Sequence, residues 1–188
     1  MKRLFLLFLA MGHLMATPAQ IIIVRHAEKP PMGPGLSVEG QERAQALAVF
    51  FQENPFTLEF GLPTAIYAFK AITKRGKETM IPLALQLRLL VHNEYTSTQP
   101  QMIAKDILNN PLYEGKMVLI CWDHSHLPLL ISALRGPNIP KPPGSRYDLI
   151  YKLTYSDPSA PHFCIGLENL MKDDKKELPA KYTAYGCP

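Results

Sequence analysis

Four β-branched residues, 21–24, lead directly into a polar segment that begins with Arg25 and His26. A short apolar run bounded by polar residues is typical of a buried strand in a parallel sheet. In open α/β sheets, ligands bind beyond the carboxyl ends of the strands. We therefore expect Arg25 and His26 to lie where such a fold binds its ligand. The guanidinium of Arg25 suits phosphate oxygens, and a neutral His26 ring is a nucleophile.

Strands and helices are predicted to alternate along the rest of the chain. Ser37, after a stretch rich in Pro and Gly, is a good N-cap for a helix that reaches about residue 51. Further strands are predicted at 64–69, 89–91, 117–122 and 149–154, and further helices at 78–87, 100–108 and 127–134. This order predicts βαβ crossovers in one α/β domain: a three-layer, doubly wound, mostly parallel sheet with helices on both faces.

The first 19 residues have the composition of a secretory signal peptide. Lys2 and Arg3 precede a largely apolar stretch, and small residues follow at 16–19. The apolar stretch is short for a transmembrane helix. We therefore expect a signal peptide over 1–19 and one domain over 20–188, in a periplasmic or secreted protein with no stable membrane span after cleavage. An uncleaved membrane anchor or an apolar first helix is the alternative.

Composition excludes some functions and leaves the state of the cysteines open. The net charge is +4, and the chain has no basic stripe with interleaved aromatic residues, which argues against nucleic-acid binding. Cys121 falls in a predicted strand and is expected to be a buried small hydrophobe. Cys164 and Cys187 could form a disulfide in an oxidising compartment, with free thiols as the alternative. No cysteine spacing resembles a metal site, so neither a metal nor a cofactor is predicted.

A second histidine follows another predicted strand. The segment 123–126 begins where that strand ends and puts His124 in a position like that of His26. Between them, a basic loop that contains Arg75 leads into a helix, whose first N–H groups attract anions. Two histidines and a basic loop at one edge of a sheet indicate a phosphate site. A solvated basic surface is the other interpretation of the loop.

These elements together resemble the histidine phosphatase superfamily, also called the phosphoglycerate mutase-like fold. They occur in the order typical of that family and span about residues 21–135. The matching segments are the first strand with Arg25-His26-Ala27-Glu28, the segments 36–40 and 75–79, and the later strand with His124.

The resemblance implies a metal-independent phosphatase. His26 would attack phosphorus and form a phosphohistidine, which water hydrolyses. Arg25, Arg75 and His124 would hold the phosphoryl oxygens and stabilise the transition-state charge, with Lys74 as an alternative to Arg75. The substrate would be a small phosphomonoester or a phosphoprotein. A mutase or a phytase is disfavoured because the chain has no room for the insertions of those relatives.

Two features depart from the family pattern. Asp123 stands where a Gly usually precedes the second histidine, and the acid that protonates the leaving group has no clear counterpart. Glu94 is the prediction for that acid, with Asp123 and Glu28 as alternatives. His126 either touches the leaving group or lies on the surface. A catalytically silent phosphate-binding or interaction module on the same fold is therefore the alternative function.

Overall fold

The structure, a computed structural model, describes residues 17–188. The predicted signal peptide lies almost entirely outside the described residues and stays a prediction. The strands are β1 (Gln20–Arg25), β2 (Pro63–Ala68), β3 (Val91–His92), β4 (Met117–Trp122), β5 (Leu149–Thr154) and β6 (His162–Leu167). The helices are α1 (Val38–Glu53), α2 (Arg75–Leu87), α3 (Pro100–Asn109) and α4 (Leu127–Ala133), with 3₁₀ turns at Pro111–Tyr113 and Ala180–Tyr185.

All six strands form one sheet in the order β3-β2-β4-β1-β5-β6. Strands β1, β4, β2 and β3 run parallel to one another, whereas β5 runs antiparallel to both β1 and β6. The carboxyl ends of β1, β4, β2 and β3 therefore meet at one edge of the sheet. The predicted α/β fold with a mostly parallel sheet is confirmed.

The central strands are buried on both faces. Ile21 and Ile23 of β1 pack in a core with residues of α3 and α4. Ile22 and Val24 point the other way and pack with residues of α1 and α2. Because both faces are covered by helices, β1 is apolar without alternation. The result is the predicted three-layer arrangement.

The largest differences from the sequence prediction are the start of helix α2 and the presence of strand β6. Helix α2 begins at Arg75 rather than at 78, since the Glu78 N–H already donates to the carbonyl of Lys74. With this earlier start, Pro82 lies in the interior of the helix, where it cannot donate a helical hydrogen bond. Strand β6 was not predicted, because this edge strand is only partly buried and has no clear apolar pattern.

A disulfide ties the end of the chain to the sheet. Cys164 in β6 is bonded to Cys187, with their Cα atoms 4.9 Å apart. The N–H of Cys187 also donates to the carbonyl of Ile165. Cys121 is free and fully buried in β4, as expected. No helix within residues 17–188 is both long enough and apolar enough to cross a bilayer.

Candidate active site

His26 follows β1 immediately and is held in one orientation. Its Nδ1 lies 2.7 Å from the carbonyl oxygen of Ala27, so Nδ1 carries the proton of the neutral ring and Nε2 keeps its lone pair. Burial lowers the pKa of His26 to about 4; the bond to Ala27 opposes this, and the charge of Arg25 adds to it. His26 is therefore a neutral imidazole at neutral pH, with Nε2 available for attack.

Arg25 is fixed by the loop that precedes β5. One of its terminal nitrogens donates to the carbonyls of Gly144, at 2.7 Å, and Arg146, at 3.0 Å. The ring of Tyr147 stacks on the guanidinium, with its centroid 3.9 Å from the guanidinium carbon. The Nε of Arg25 is buried and has no hydrogen-bond partner among the described residues. A bound oxyanion would satisfy this donor.

Strand β4 places the second histidine beside the first. Arg25 and Trp122 pair across β1 and β4, so the two polar segments leave adjacent strand ends. His26, Asp123 and His124 each place a ligand atom within 4.8 Å of the other two. The structure thus brings together the two histidines that the sequence singled out.

His124 also has an atom without a partner. Its Nδ1 is buried and makes no hydrogen bond to the described residues, since the nearest carboxylate oxygen, on Asp123, is 3.7 Å away. Burial and the charge of Arg25 lower the pKa of His124, although Asp123 acts in the opposite direction. In this structure His124 is therefore neutral at neutral pH, and a phosphate dianion beside it would favour the protonated ring.

The side chain of Asp123 is fixed by hydrogen bonds from the residues that follow it. Its Oδ1 accepts hydrogen bonds from the N–H of Ser125, at 2.9 Å, and from Nδ1 of His126, at 3.2 Å. Burial raises the pKa of Asp123, but these two hydrogen bonds outweigh burial and keep the pKa below its ordinary value. Asp123 is consequently an anion at neutral pH, in a fixed position between the two histidines of its segment.

Arg75 begins α2 and contacts the loop that follows β1. It donates from Nε to the carbonyl of Gly35, at 3.2 Å, and from a terminal nitrogen to that of Gly33, at 2.8 Å. Thr79, one turn later, donates to the Arg75 carbonyl and accepts from the N–H of Ala27. The four-residue spacing between Arg75 and Thr79 thus connects α2 to the segment that carries His26.

The segment 36–40 supports that same loop through close backbone packing. The N–H of Ser37 donates to the carbonyl of Glu28, and the side chain of Ser37 caps α1 by accepting from Gly40. A Cβ atom added to Gly40 would lie 2.3 Å from the carbonyl oxygen of Glu28. Only glycine allows this approach, which explains the glycine of the motif.

Sequence reasoning missed a buried ionic cluster under the site. Arg43 binds the carboxylate of Glu28, and its remaining nitrogens bind Glu168 and Asp174. Burial raises the pKa of Glu168 to about 8, against the opposing charge of Arg43. These residues come from distant parts of the chain and share no local motif. Glu28 is therefore engaged in the support of the loop.

Glu94 and Lys74 lie at the same sheet edge and are exposed. The Glu94 carboxylate is 3.7 Å from Nδ1 of His92, and 62% of its side chain is exposed. Asn93 anchors this segment by donating to the carbonyls of Ala68 and Phe69, at the end of β2. The role of Glu94 as the acid stays a prediction.

The pocket also offers donor atoms that suit a transition metal. Two imidazoles and a carboxylate, from His26, His124 and Asp123, are a common ligand set for Zn²⁺ or Cu²⁺. The positive charge of Arg25, which acts on both rings, opposes the binding of a cation there. The same charge favours an anion. The prediction that no metal is needed remains to be tested.

Comparison with solved structures concerns the fold. The mycobacterial glucosyl-3-phosphoglycerate phosphatase, in complex with VO3, matches with a TM-score of 0.55 and 12% identity over 81% of this chain and 100% of that chain. The protein histidine phosphatase SixA, in complex with tungstate, matches with a TM-score of 0.55 and 14% identity over 79% of this chain and 97% of that chain. This chain has the histidine phosphatase fold.

A third histidine phosphatase fold, the α-ribazole phosphatase from Shigella flexneri, matches with a TM-score of 0.51 and 12% identity over 79% of this chain and 94% of that chain. Neither a family model nor a curated protein sequence matches the chain. At these identities the histidine phosphatase fold is what the proteins share. The activity has to be argued from the residues of the pocket.

Proposed function

We propose that this protein is a phosphatase that hydrolyses phosphomonoesters through a phosphohistidine on His26. The observation that supports this most is the state of the His26 ring. The ring is neutral, its Nδ1 is bonded to the Ala27 carbonyl, and its Nε2 is unprotonated at the carboxyl end of a central strand. A nucleophilic histidine needs this state and this orientation.

The reaction takes place in two displacements. In the first, Nε2 of His26 attacks phosphorus while the bond from phosphorus to the leaving oxygen breaks, and that oxygen takes up a proton. In the second, water attacks the phosphohistidine, the P–N bond breaks, and inorganic phosphate leaves with neutral His26 restored. Arg25, Arg75 and His124 hold the phosphoryl oxygens through both steps, and this stabilises the charge of each transition state.

The charges around the pocket support an anionic substrate. Lys29 and Lys141 act on the pKa of His124, so both ammonium groups lie near enough to affect the site. Arg25 and Arg75 act in the same way on His26. These four cations outnumber the Asp123 carboxylate, which acts on the same two rings with the opposite sign, so the balance of charge favours phosphate esters and speeds their association.

The substrate class and location are part of the same proposal. The compared proteins include a glucosyl-3-phosphoglycerate phosphatase and a protein histidine phosphatase, so a small ester and a phosphoprotein both suit this fold. The bond between Cys164 and Cys187 supports a location outside the cytoplasm, because disulfides persist in oxidising compartments. We therefore propose a phosphatase of the periplasm or the cell exterior.

Hydrolysis of para-nitrophenyl phosphate tests the activity. We expect wild type to turn over the ester between pH 5 and 7.5 and His26→Asn to lose about 10³-fold or more. His162→Asn is the matched control, since His162 is an exposed residue of the edge strand β6. The second candidate, a silent phosphate-binding module, is favoured by the unusual Asp123. Phosphate binding by wild type without turnover would support that candidate instead.

A further inference from the structure

We propose that His126, oriented by Asp123, donates the proton to the leaving-group oxygen. The inference rests on the proposed phosphatase function and assigns the acid that the reaction requires. In this assignment His126 is the catalytic acid, and Asp123 is a positioning residue that holds it.

The carboxylates around the pocket are poorly suited to this role. Asp123 is an anion whose Oδ1 already accepts two hydrogen bonds. Both oxygens of Glu28 lie within 3.0 Å of Nε of Arg43, so this carboxylate is already bound by a guanidinium. Glu94 is exposed, and its contact within the described residues is with His92, at 3.7 Å. Asp123 and Glu28 are thus engaged by other groups.

The position of His126 suits the role better. Its Nδ1 lies 3.2 Å from Oδ1 of Asp123, and Asp123 has an oxygen within 4.8 Å of ring nitrogens of His26 and His124. Asp123 is therefore close to both His126 and the proposed nucleophile His26. About a third of the His126 side chain is exposed, so the ring is not sealed off from solvent.

In-line geometry determines where the acid has to lie. In an in-line displacement, the leaving oxygen lies on the side of phosphorus opposite the nucleophile. The acid must then come from beyond the residues that bind the phosphoryl group. His126 lies two positions after His124, at the start of α4, where the chain turns away from β4. With Nδ1 bound to Asp123, a protonated ring would donate from Nε2.

The proton balance closes over the two steps. The imidazolium of His126 gives its Nε2 proton to the leaving oxygen as the P–O bond breaks, and the neutral ring remains. The water that then attacks the phosphohistidine gives a proton back to Nε2, which restores the imidazolium. Asp123 stabilises the charged ring and fixes its tautomer through Nδ1, as carboxylates do for catalytic histidines elsewhere.

A series of leaving groups tests the assignment, because an acid matters for a poor leaving group and hardly at all for a good one. We would measure kcat/KM for an alkyl phosphate, phenyl phosphate and 2,4-dinitrophenyl phosphate. His126→Asn is expected to lose about 10²-fold or more on the alkyl ester and to stay close to wild type on the dinitrophenyl ester. Asp123→Asn should also lose more activity on the alkyl ester than on the dinitrophenyl ester, but the loss should be smaller than in His126→Asn. The loss should appear in kcat rather than in KM.

Two further variants test Glu94 as the alternative acid and control for a nonspecific loss of activity. Glu94→Gln removes the sequence-predicted acid, and His92→Asn controls for the loss of a half-exposed ring beside it. A leaving-group dependence in Glu94→Gln and none in His126→Asn would overturn the inference. An equal loss by His126→Asn on all three esters would also overturn it, because it would indicate a structural role. Vanadate affinity measured on each variant reports whether the phosphate pocket is still folded.

Failure of the proposed function gives a different result. If wild type hydrolyses none of the three esters, the phosphatase proposal fails and the assignment of His126 fails with it. If wild type hydrolyses all three and His126→Asn matches it throughout, the phosphatase proposal stands and only the acid is wrong.

Discussion

The Nε atom of Arg43 lies 2.9 Å and 3.0 Å from the two carboxylate oxygens of Glu28. This contact joins α1 to the segment that carries His26. The other nitrogens of Arg43 bind Glu168 and Asp174, and the whole cluster is nearly buried. One guanidinium thus connects the loop that follows β1 to Glu168 and Asp174 in the C-terminal part of the chain.

Arg43→Met tests the importance of this cluster for stability. The variant leaves buried carboxylates without their cation, so we expect the free energy of unfolding to fall by about 3–5 kcal/mol. Urea denaturation measures the change. Lys105→Met, at an exposed position of α3, should change stability by less than about 0.5 kcal/mol. A loss in Arg43→Met no larger than in this control would contradict the prediction.

Gly40→Ala tests the close packing of α1 against the Glu28 backbone. The added Cβ would meet the Glu28 carbonyl oxygen at 2.3 Å, so the loop or the helix has to move. We expect a loss of about 3 kcal/mol in stability together with a loss of turnover. Gly144→Ala is the stability control, because its added Cβ would meet nothing within 4 Å. Equal stability of the two variants would show that the packing is not tight.

The low pKa of His26 predicts a pH effect on stability. The pKa of His26 is about 4 in the folded chain, against 6.5 for the ordinary group. Between these two pH values the ring is mostly protonated in the unfolded chain and mostly neutral in the folded chain. The stabilisation from the neutral ring is complete above about pH 6.5 and is lost as the pH falls toward 4. Between these limits, wild type should lose about 3 kcal/mol more than His26→Asn. Equal losses in urea denaturation at pH 7 and pH 4 would argue against a depressed pKa.

Reduction of the disulfide predicts a second stability change. Cys164 and Cys187 are 23 residues apart in sequence, and a cross-link over a loop of this size contributes about 3 kcal/mol. Dithiothreitol should therefore lower the Tm of wild type. It should leave the Tm of the Cys164→Ser/Cys187→Ser double variant unchanged, since Cys121 is free in both. An unchanged wild-type Tm after verified reduction would contradict this.

Removal of metal ions and addition of Zn²⁺ both test whether turnover depends on a metal. We expect dialysis against a chelator to leave turnover unchanged, because cationic side chains supply the charge that the reaction needs. Added Zn²⁺ should inhibit in competition with phosphate only at high concentration, since His26, Asp123 and His124 offer it ligand atoms but the charge of Arg25 opposes a cation there. Asp123→Gly should weaken that inhibition. Loss of turnover on chelation, with recovery on adding metal, would show that the reaction is metal-dependent.

The centre of the sheet could be predicted from sequence because its strands are continuous apolar runs. The strands over 117–122 and 149–154 were predicted with the bounds that the structure shows. Strand β6 lies at the edge and is half exposed, so burial imposes no clear pattern on it. Helix α2 begins earlier than its apolar pattern suggests, because its first turn is fixed by contacts with another loop.

Part of the candidate site could be predicted because it follows the same apolar strands. His26 and His124 each follow a recognisable strand, and parallel strands end at the same edge. The contacts of Arg25 with Gly144 and Tyr147 join residues about 120 positions apart, and no local pattern reports such pairs. The position of Asp123 relative to His126 likewise depends on the turn that the segment adopts.

The covalent intermediate is the most direct test of the central claim. Wild type is mixed with a labelled phosphomonoester and denatured in alkali within one turnover, since phosphohistidine survives base and is lost in acid. Mass spectrometry of the peptides then locates the label. We predict one phosphoryl group on His26, acid-labile and absent from His26→Asn. Turnover with no label on His26, or with the label on another residue, would contradict the account.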